Sequence, residues 1–327
     1  MRILVIGGTQ FVGRAFVEHA AGRGHEVSLF HRGATEPEGL PAVEHLHGDR
    51  DGGLHVLEKQ TWDAALDTCA YTPRAVTHVA SVLRDRIGHY ALVSSLSVHP
   101  EDAPPGATED SPTYGPPFPE TEEVTEETYG PLKVASEQEA LRAFSGRYLI
   151  VRPGYIVGPH DPTDRFTFYV RRAASGGEML APGPPDAPLQ VVDVRDVAAF
   201  MLERIELLDN DVYGVVGPGE PITMSVVLES ARASSQADTE PTWVSPDFLH
   251  TLGDDVYRWL PMWHPEHPGA HAYDASKAIA AGLRHRTLVE TVTDTLTWDA
   301  GRGRPELRAG LSPAKEAELL QAWRARS

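Results

Sequence analysis

Tyr129 and Lys133 stand four residues apart in Tyr129-Gly130-Pro131-Leu132-Lys133, a spacing that puts both side chains on one face of a helix. A lysine cation near a phenol favours the phenolate and draws the tyrosine toward a range useful for proton transfer. Pro131 fits such a helix in its first turn, where the missing N–H is no loss. Any helix start can carry this pair by chance, so the pair needs a third group. Ser94-Ser95 offers one at the end of a short apolar run. A hydroxyl there can orient a carbonyl or an alcohol, although a serine in that position also caps turns.

A second set of residues suits an anionic cofactor. Directly after Ile3-Leu4-Val5-Ile6 comes Gly7-Gly8-Thr9-Gln10-Phe11-Val12-Gly13, and an amphipathic helical pattern follows. In that strand-to-helix context Gly7 permits the sharp turn, Gly13 permits close helix packing, and the backbone N–H groups of Thr9, Gln10, Phe11 and Val12 can face a pyrophosphate. The next strand pattern ends Leu29-Phe30-His31-Arg32, with no carboxylate for the adenosine ribose hydroxyls. Arg32, with His31 beside it, suits a 2′-phosphate instead, so NADP is expected ahead of NAD. Asp49 and Arg50, which follow the third strand pattern, are further candidates for cofactor binding. Asp49 can accept from the adenine amino group, or serve as an acidic turn residue.

These residues need a scaffold, and the hydrophobic pattern supplies one. Strand-like runs at 3–6, 26–30, within 45–50, and at 64–67, 90–93 and 148–151 alternate with helical patterns at 13–21, 74–86 and 129–144. Such alternation predicts an α/β fold, a Rossmann-type doubly wound parallel sheet covered by helices. Ser95 then lies at the carboxyl end of the fifth strand, where open sheets of this kind bind ligands. Residues 100–131, rich in Pro, Glu, Thr and Gly, read as a surface excursion at the rim of a pocket. Residues 1–152 are expected to form the dinucleotide-binding domain, with a later contribution from about 189–216. Residues 153–327 are expected to form mainly a smaller, mixed α/β substrate lobe, with a helix at 197–207, a strand at 212–216, and helices near Ser276, Thr287 and Ala314.

Composition narrows the function classes. With 29 Lys and Arg against 47 Asp and Glu, the net charge of −18 repels nucleic-acid phosphates and anionic membrane surfaces. A small-molecule substrate is therefore expected, with no nucleic-acid or membrane partner. Cys69 is the single cysteine, so no internal disulfide forms and a reducing cytoplasm fits. No apolar run approaches the length of a membrane span. The amphipathic stretch 314–324 suits either a sheet edge or a second copy in a homodimer.

Taken in order, the motifs resemble the extended short-chain dehydrogenase/reductase family, in its NAD-dependent epimerase/dehydratase-like branch. They are the Gly7–Gly13 turn, Val93-Ser94-Ser95-Leu96-Ser97-Val98, Tyr129 to Lys133, Val151-Arg152-Pro153-Gly154-Tyr155-Ile156-Val157-Gly158-Pro159, Val192-Asp193-Val194-Arg195-Asp196-Val197 and Tyr273-Asp274-Ala275-Ser276-Lys277-Ala278. The resemblance also reaches isoflavone-reductase-like members, without implying a flavonoid substrate. It implies that Tyr129 exchanges a proton with the substrate oxygen, that Lys133 holds the nicotinamide ribose, and that Ser95 orients the reacting group while hydride moves to or from the nicotinamide. It further implies Pro153 beside that ribose, and Tyr155, His160 and Arg165 in the substrate pocket.

Departures from the family pattern shape the expected activity. Gln10 stands in place of the middle glycine of the turn. The segment 72–89 lacks the Asn-Val-x-Gly-Thr motif of many sugar-nucleotide members, and Leu96-Ser97 replaces the acidic pair of sugar dehydratases. An NADP(H)-dependent reductase of a small metabolite therefore leads. The alternatives are an epimerase of a sugar or sugar-like substrate and a non-catalytic cofactor-sensing or RNA-associated protein on the same fold. The imidazoles of His264, His267 and His271, with Glu266, have irregular, proline-broken spacing. They read as a pocket-edge loop, and no metal is expected.

Overall fold

The computed structural model describes residues 1–34, 39–116, 118, 120–217, 222–253, 255–267 and 269–326. Its centre is a sheet of seven parallel strands. In chain order six of them are β1 (Arg2–Ile6), β2 (Glu26–His31), β3 (Glu44–His47), β4 (Trp62–Asp67), β5 (Ile87–Val93) and β6 (Tyr148–Pro153). The strand Val212–Val215 pairs outside β6, and the spatial order runs Val212–Val215, β6, β5, β4, β1, β2, β3. The winding direction reverses between β1 and β4, which places a ligand crevice at the carboxyl ends of these strands.

Central strands read as nearly continuous apolar runs because helices cover both faces. Leu4, Ile6, Ala65, Leu92 and Ile150 are buried with Val76, Val79 and Leu83 of helix α2 (Pro73–Leu83). Tyr90 stacks on Phe144 with ring centres 4.2 Å apart. Helix α2 packs on α3 (Glu126–Ala143), and α1 (Phe11–Gly22) packs on the helix Val194–Glu206. This is the doubly wound, Rossmann-type architecture expected from the alternation.

Helix α3 begins three residues before Tyr129, which moves Pro131 out of the first turn and into the helix. The start is set by a capping box, in which Thr125 accepts from the Thr128 N–H and Thr128 bonds back to the Thr125 N–H. Glu126 and Glu127 add negative charge to the first turn. Pro131 cannot donate to the Glu127 carbonyl, a local cost that the preceding cap offsets.

The first compact unit comprises Met1–Gly154, Val194–Val216 and Tyr273–Arg284. Residues 189–193 thus fall outside it, whereas the 273–284 segment, read from sequence as part of the second lobe, falls within it. Packing explains the latter. A Cβ on Gly214 would sit 2.1 Å from the Tyr273 ring, and Lys277 bonds Asp211 at 2.7 Å. The excursion after β5 is also anchored here, since the Gly214 N–H donates to Glu109 Oε1 and Arg152 donates to the Glu109 carbonyl.

The second unit comprises Tyr155–Asp193, Gly217–Ala272 and His285–Ser327. Its described residues form small strand pairs, Val191–Asp193 with Tyr155–Val157, Glu240–Val244 with Glu178–Pro182, and Ile222–Thr223 with Pro188–Leu189. Helix Pro313–Arg324 buries Leu319 and Leu320 against Leu180 and Val244, so its apolar stripe covers a sheet of its own unit. Asp299 is buried in this unit between Arg171 and Arg302, and Arg302 also bonds the buried Asp164. Asp299→Ala leaves two cations partly buried without their shared carboxylate. Its expected cost is ~3–5 kcal/mol, read as a lower urea midpoint at unchanged slope. No helix among the described residues is long and apolar enough to cross a membrane.

Candidate active site

The glycine turn after β1 is built for close approach. Gly7 and Gly8 take φ of +97° and +86°, and the Gly7 N–H donates to the Phe30 carbonyl at 2.9 Å. A Cβ on Gly13 would meet the Gly8 Cα at 2.3 Å, so Gly13 lets the first turn of α1 close onto the loop itself. The expectation from sequence was packing on the sheet. Helix α1 has no side-chain cap and no acidic residue in its first turn, while Phe11 carries φ of +39°. Its leading N–H groups and positive dipole end therefore have no side-chain anion in the first turn, which suits a pyrophosphate. Gln10 is exposed and Thr9 is buried in this turn, and Val12 opens α1 beside Gly13.

At the end of β2 the two residues named for the 2′-phosphate part company. Arg32 is exposed. His31 is buried, with Nδ1 accepting from the Gly33 N–H at 3.1 Å and Nε2 lying 2.8 Å from His45 Nδ1. The Gly33 bond puts the His31 proton on Nε2, so both of its ring nitrogens are engaged. His31 thereby braces the turn that presents Arg32. His47 completes a group of three imidazoles whose nitrogens lie within 4.8 Å of one another. Two ligands of one tetrahedral zinc stand roughly 3.3 Å apart, whereas His31 and His45 are already joined by a shorter hydrogen bond. Sequence reasoning missed this group, although His45 and His47 share one strand face and His47 is in register with His31.

Asp49 shapes the loop after β3. Its Oδ1 accepts from the Asp51 N–H at 2.8 Å, which realises the turn-residue reading. Arg50 reaches across to the end of β4 and bonds Asp67 at 2.6 Å and the Cys69 sulfur at 3.5 Å.

Past the end of β5, Ser95 caps the short turn Leu96–Val98, its Oγ accepting from the Ser97 N–H and donating to the Ser97 Oγ. Gly130 brings α3 onto this turn. A Cβ there would stand 2.2 Å from the Ser97 carbonyl oxygen and 2.8 Å from the Tyr114 ring. That contact seats α3 against the Leu96–Val98 turn that Ser95 caps. Lys133 is 2% exposed, and its Nζ donates to the Ala70 and Val93 carbonyls at 2.9 and 2.7 Å. Burial pushes its pKa from 10.5 down to about 8, against the opposing pull of Asp67 and Glu137. Tyr71, which sequence reasoning missed, bridges the pair, with the Lys133 Nζ 5.5 Å from its ring centre and the Tyr129 ring 6.4 Å away. Pro153 ends β6, and a Cβ on the next residue, Gly154, would fall 3.5 Å from Leu96, beside the Ser95 turn.

Of the residues named for a substrate pocket, the second unit brings two together. The Arg165 guanidinium lies 5.3 Å from the Tyr155 ring centre. His160, at φ +68°, instead packs 5.5 Å from Trp298. His264 lies parallel to both Tyr155 and Tyr257. Burial, then His271, bring its pKa down to about 4. His271 accepts from the Gln190 N–H and bonds the Met262 carbonyl, so both of its nitrogens serve the fold.

Comparison with known proteins bears on this geometry. A family model described as NAD dependent epimerase/dehydratase family matches residues 3–216. The chloroplast stem-loop binding protein of 41 kDa b of Arabidopsis thaliana is 23% identical over 323 residues, spanning 92% of this chain and 80% of that one. The epimerase family protein SDR39U1 of Mus musculus is 25% identical, spanning 75% and 83%. UDP-glucose 4-epimerase of Bifidobacterium longum, solved with NAD+ and UDP, superposes with a TM-score of 0.65 at 18% identity, covering 93% and 99% of the two chains. The Bordetella bronchiseptica enzyme WbmH, solved with NAD+, gives 0.68 at 16% identity, covering 92% and 99%. These structural likenesses are likenesses of fold.

Proposed function

The chain belongs to the NAD dependent epimerase/dehydratase family, within the extended short-chain dehydrogenases/reductases and hence among NAD(P)-dependent enzymes, and on that premise we propose an NADP(H)-dependent reductase of a small carbonyl metabolite. One observation supports the catalytic part: the close approach of Gly130 to the Ser97 carbonyl, which seats α3, the helix bearing Tyr129 and the buried Lys133, on the turn that Ser95 caps. The Gly7–Gly13 turn and the open end of α1 would hold the dinucleotide pyrophosphate, and Arg32 its 2′-phosphate. The bound dinucleotide supplies hydride chemistry. Ser95 orients the substrate oxygen, Tyr129 gives it a proton, and Lys133 steadies the phenolate that remains. Lys133 keeps two of its three N–H donors on the Ala70 and Val93 carbonyls, which leaves one for a ribose hydroxyl.

The preference for NADP rests on Arg32 and on the absence of a carboxylate at the end of β2. Arg32→Ala removes one charge-assisted phosphate contact, worth about 1.5–3 kcal/mol. NADPH affinity is expected to fall ~10- to 100-fold while NADH affinity stays within about twofold. Fluorescence titration of both cofactors checks this, and equal losses for the two would sink the assignment.

An epimerase recycles its nicotinamide, so net consumption of NADPH by a substrate separates the reductase from that alternative. The stem-loop binding named for the Arabidopsis relative fits poorly with a net charge of −18 and retained Ser95, Tyr129 and Lys133. A small-molecule substrate, a reducing cytoplasm and no nucleic-acid or membrane partner complete the reading. Whether the enzyme works as a homodimer is for sedimentation to measure.

A further inference from the structure

The buried carboxylate of Asp67, at the carboxyl end of β4, lies outside the catalytic set yet beside it. We propose that Asp67, clamped by Arg50 and Tyr90, is a positioning residue that both shapes the anchor of Lys133 and keeps its ammonium charged. The role of Lys133 toward the dinucleotide rests on the function proposed above, but the coupling of Asp67 to Lys133 does not.

Geometry carries the first half. Asp67 is 0% exposed and accepts three hydrogen bonds, from Arg50 at 2.6 Å, from the Cys69 N–H at 3.1 Å and from the Tyr90 hydroxyl at 2.9 Å. The Cys69 bond closes a turn just after β4, and the next carbonyl, that of Ala70, receives the Lys133 Nζ. The same carboxylate therefore holds the loop that fixes where the ammonium sits. Such a fully bonded carboxylate is the form in which a buried ion is tolerated.

Charge carries the second half. The groups facing Lys133 are Asp67, Cys69 and Tyr71 from the turn after β4, Arg50 from the loop after β3, and Glu137 and Tyr129 from α3 itself. The Cys69 thiol is pushed up to about 11 by burial and is neutral at working pH. Glu137 gives both oxygens to Arg152, at 2.9 and 2.7 Å. Asp67 is the strongest influence opposing the burial of Lys133, and Arg50 works against it. Removing the carboxylate alone leaves the ammonium beside an uncompensated guanidinium. Removing the guanidinium alone leaves it beside an uncompensated carboxylate. The two changes must shift Lys133 in opposite directions.

The test follows the 15Nζ resonance of Lys133 against pH in the full chain, assigned with Lys133→Arg. Asp67→Asn keeps the shape and removes the charge, and should lower the midpoint by ~1 unit or more. Arg50→Gln should raise it, while Tyr90→Phe, which removes one bond and no charge, should move it little. A midpoint unmoved in Asp67→Asn overturns the proposal. Should that variant not fold, an unmoved or lowered midpoint in Arg50→Gln overturns it equally. NADPH titrated over the same pH range should lose affinity as Lys133 deprotonates, at lower pH in Asp67→Asn than in the wild type. If the resonance moves and the NADPH profile does not, the coupling stands and the cofactor role of Lys133 falls.

Discussion

Tyr129→Phe is expected to cut turnover by ~10²–10⁴-fold while leaving NADPH affinity and thermal stability close to wild type. The substitution deletes one hydroxyl from a half-buried ring and keeps the Tyr71 contact. Helix α3, its cap at Thr125 and the Lys133 anchor are untouched. On the proposed function, what disappears is the proton donor to the substrate oxygen, so the loss should appear in kcat and not in cofactor binding. A screen of carbonyl compounds with NADPH absorbance supplies the substrate on which the variant is compared. A variant that retains turnover within about tenfold would assign the proton to another group.

Gly130→Ala should be nearly as damaging, for a reason invisible in the residue's chemistry. Alanine raises helix propensity by about 1 kcal/mol over glycine. Its methyl group, however, would lie 2.2 Å from the Ser97 carbonyl, a backbone atom that cannot rotate away. Relief requires α3 or the Leu96–Val98 turn to move by about an ångström, at a cost of ~1–3 kcal/mol that outweighs the propensity gain. A shift of that size between Ser95 and the Tyr129–Lys133 face can cost up to ~10²-fold in rate. Lower kcat together with a modest drop in Tm, at unchanged NADPH affinity, is the expected pattern. A rise in Tm with unchanged kcat would show that the contact does not hold the site.

Lys133 also links stability to pH. Its folded value of about 8 lies below the ordinary 10.5, so between these values the unfolded chain holds a proton that the folded chain has released. This site therefore favours folding more as pH rises from about 8 toward 10.5. Its burial as a cation counts against folding below that window, a local cost accepted at a functional position.

Much of the first unit was legible because its signals are local. Apolar runs separated by helical periods dictate a parallel sheet, and a glycine turn between β1 and α1 can be read without knowing what it touches. Tyr129 and Lys133 announce a shared face by spacing alone. Where local chemistry was misread, a nearby competing signal explains it: Thr125 and Thr128 start α3 earlier than Pro131 suggested. The His31 ring, read from sequence as standing beside the phosphate cation, is bonded to Gly33 and His45.

By itself, then, the sequence determined the alternation of strands and helices, the glycine turn after β1 and the shared helix face of Tyr129 and Lys133, because each depends on residue types within a few positions. Only the tertiary structure decided that Gly130 docks α3 on the Ser95 turn, that the 273–284 segment joins the first unit, and that Asp67, paired with Arg50, holds the turn before the Ala70 carbonyl that receives Lys133. Those facts depend on atoms 17 to 105 residues apart meeting across strand ends. No periodicity encodes such meetings, since each arises from how the twisted sheet brings separate loops to one edge.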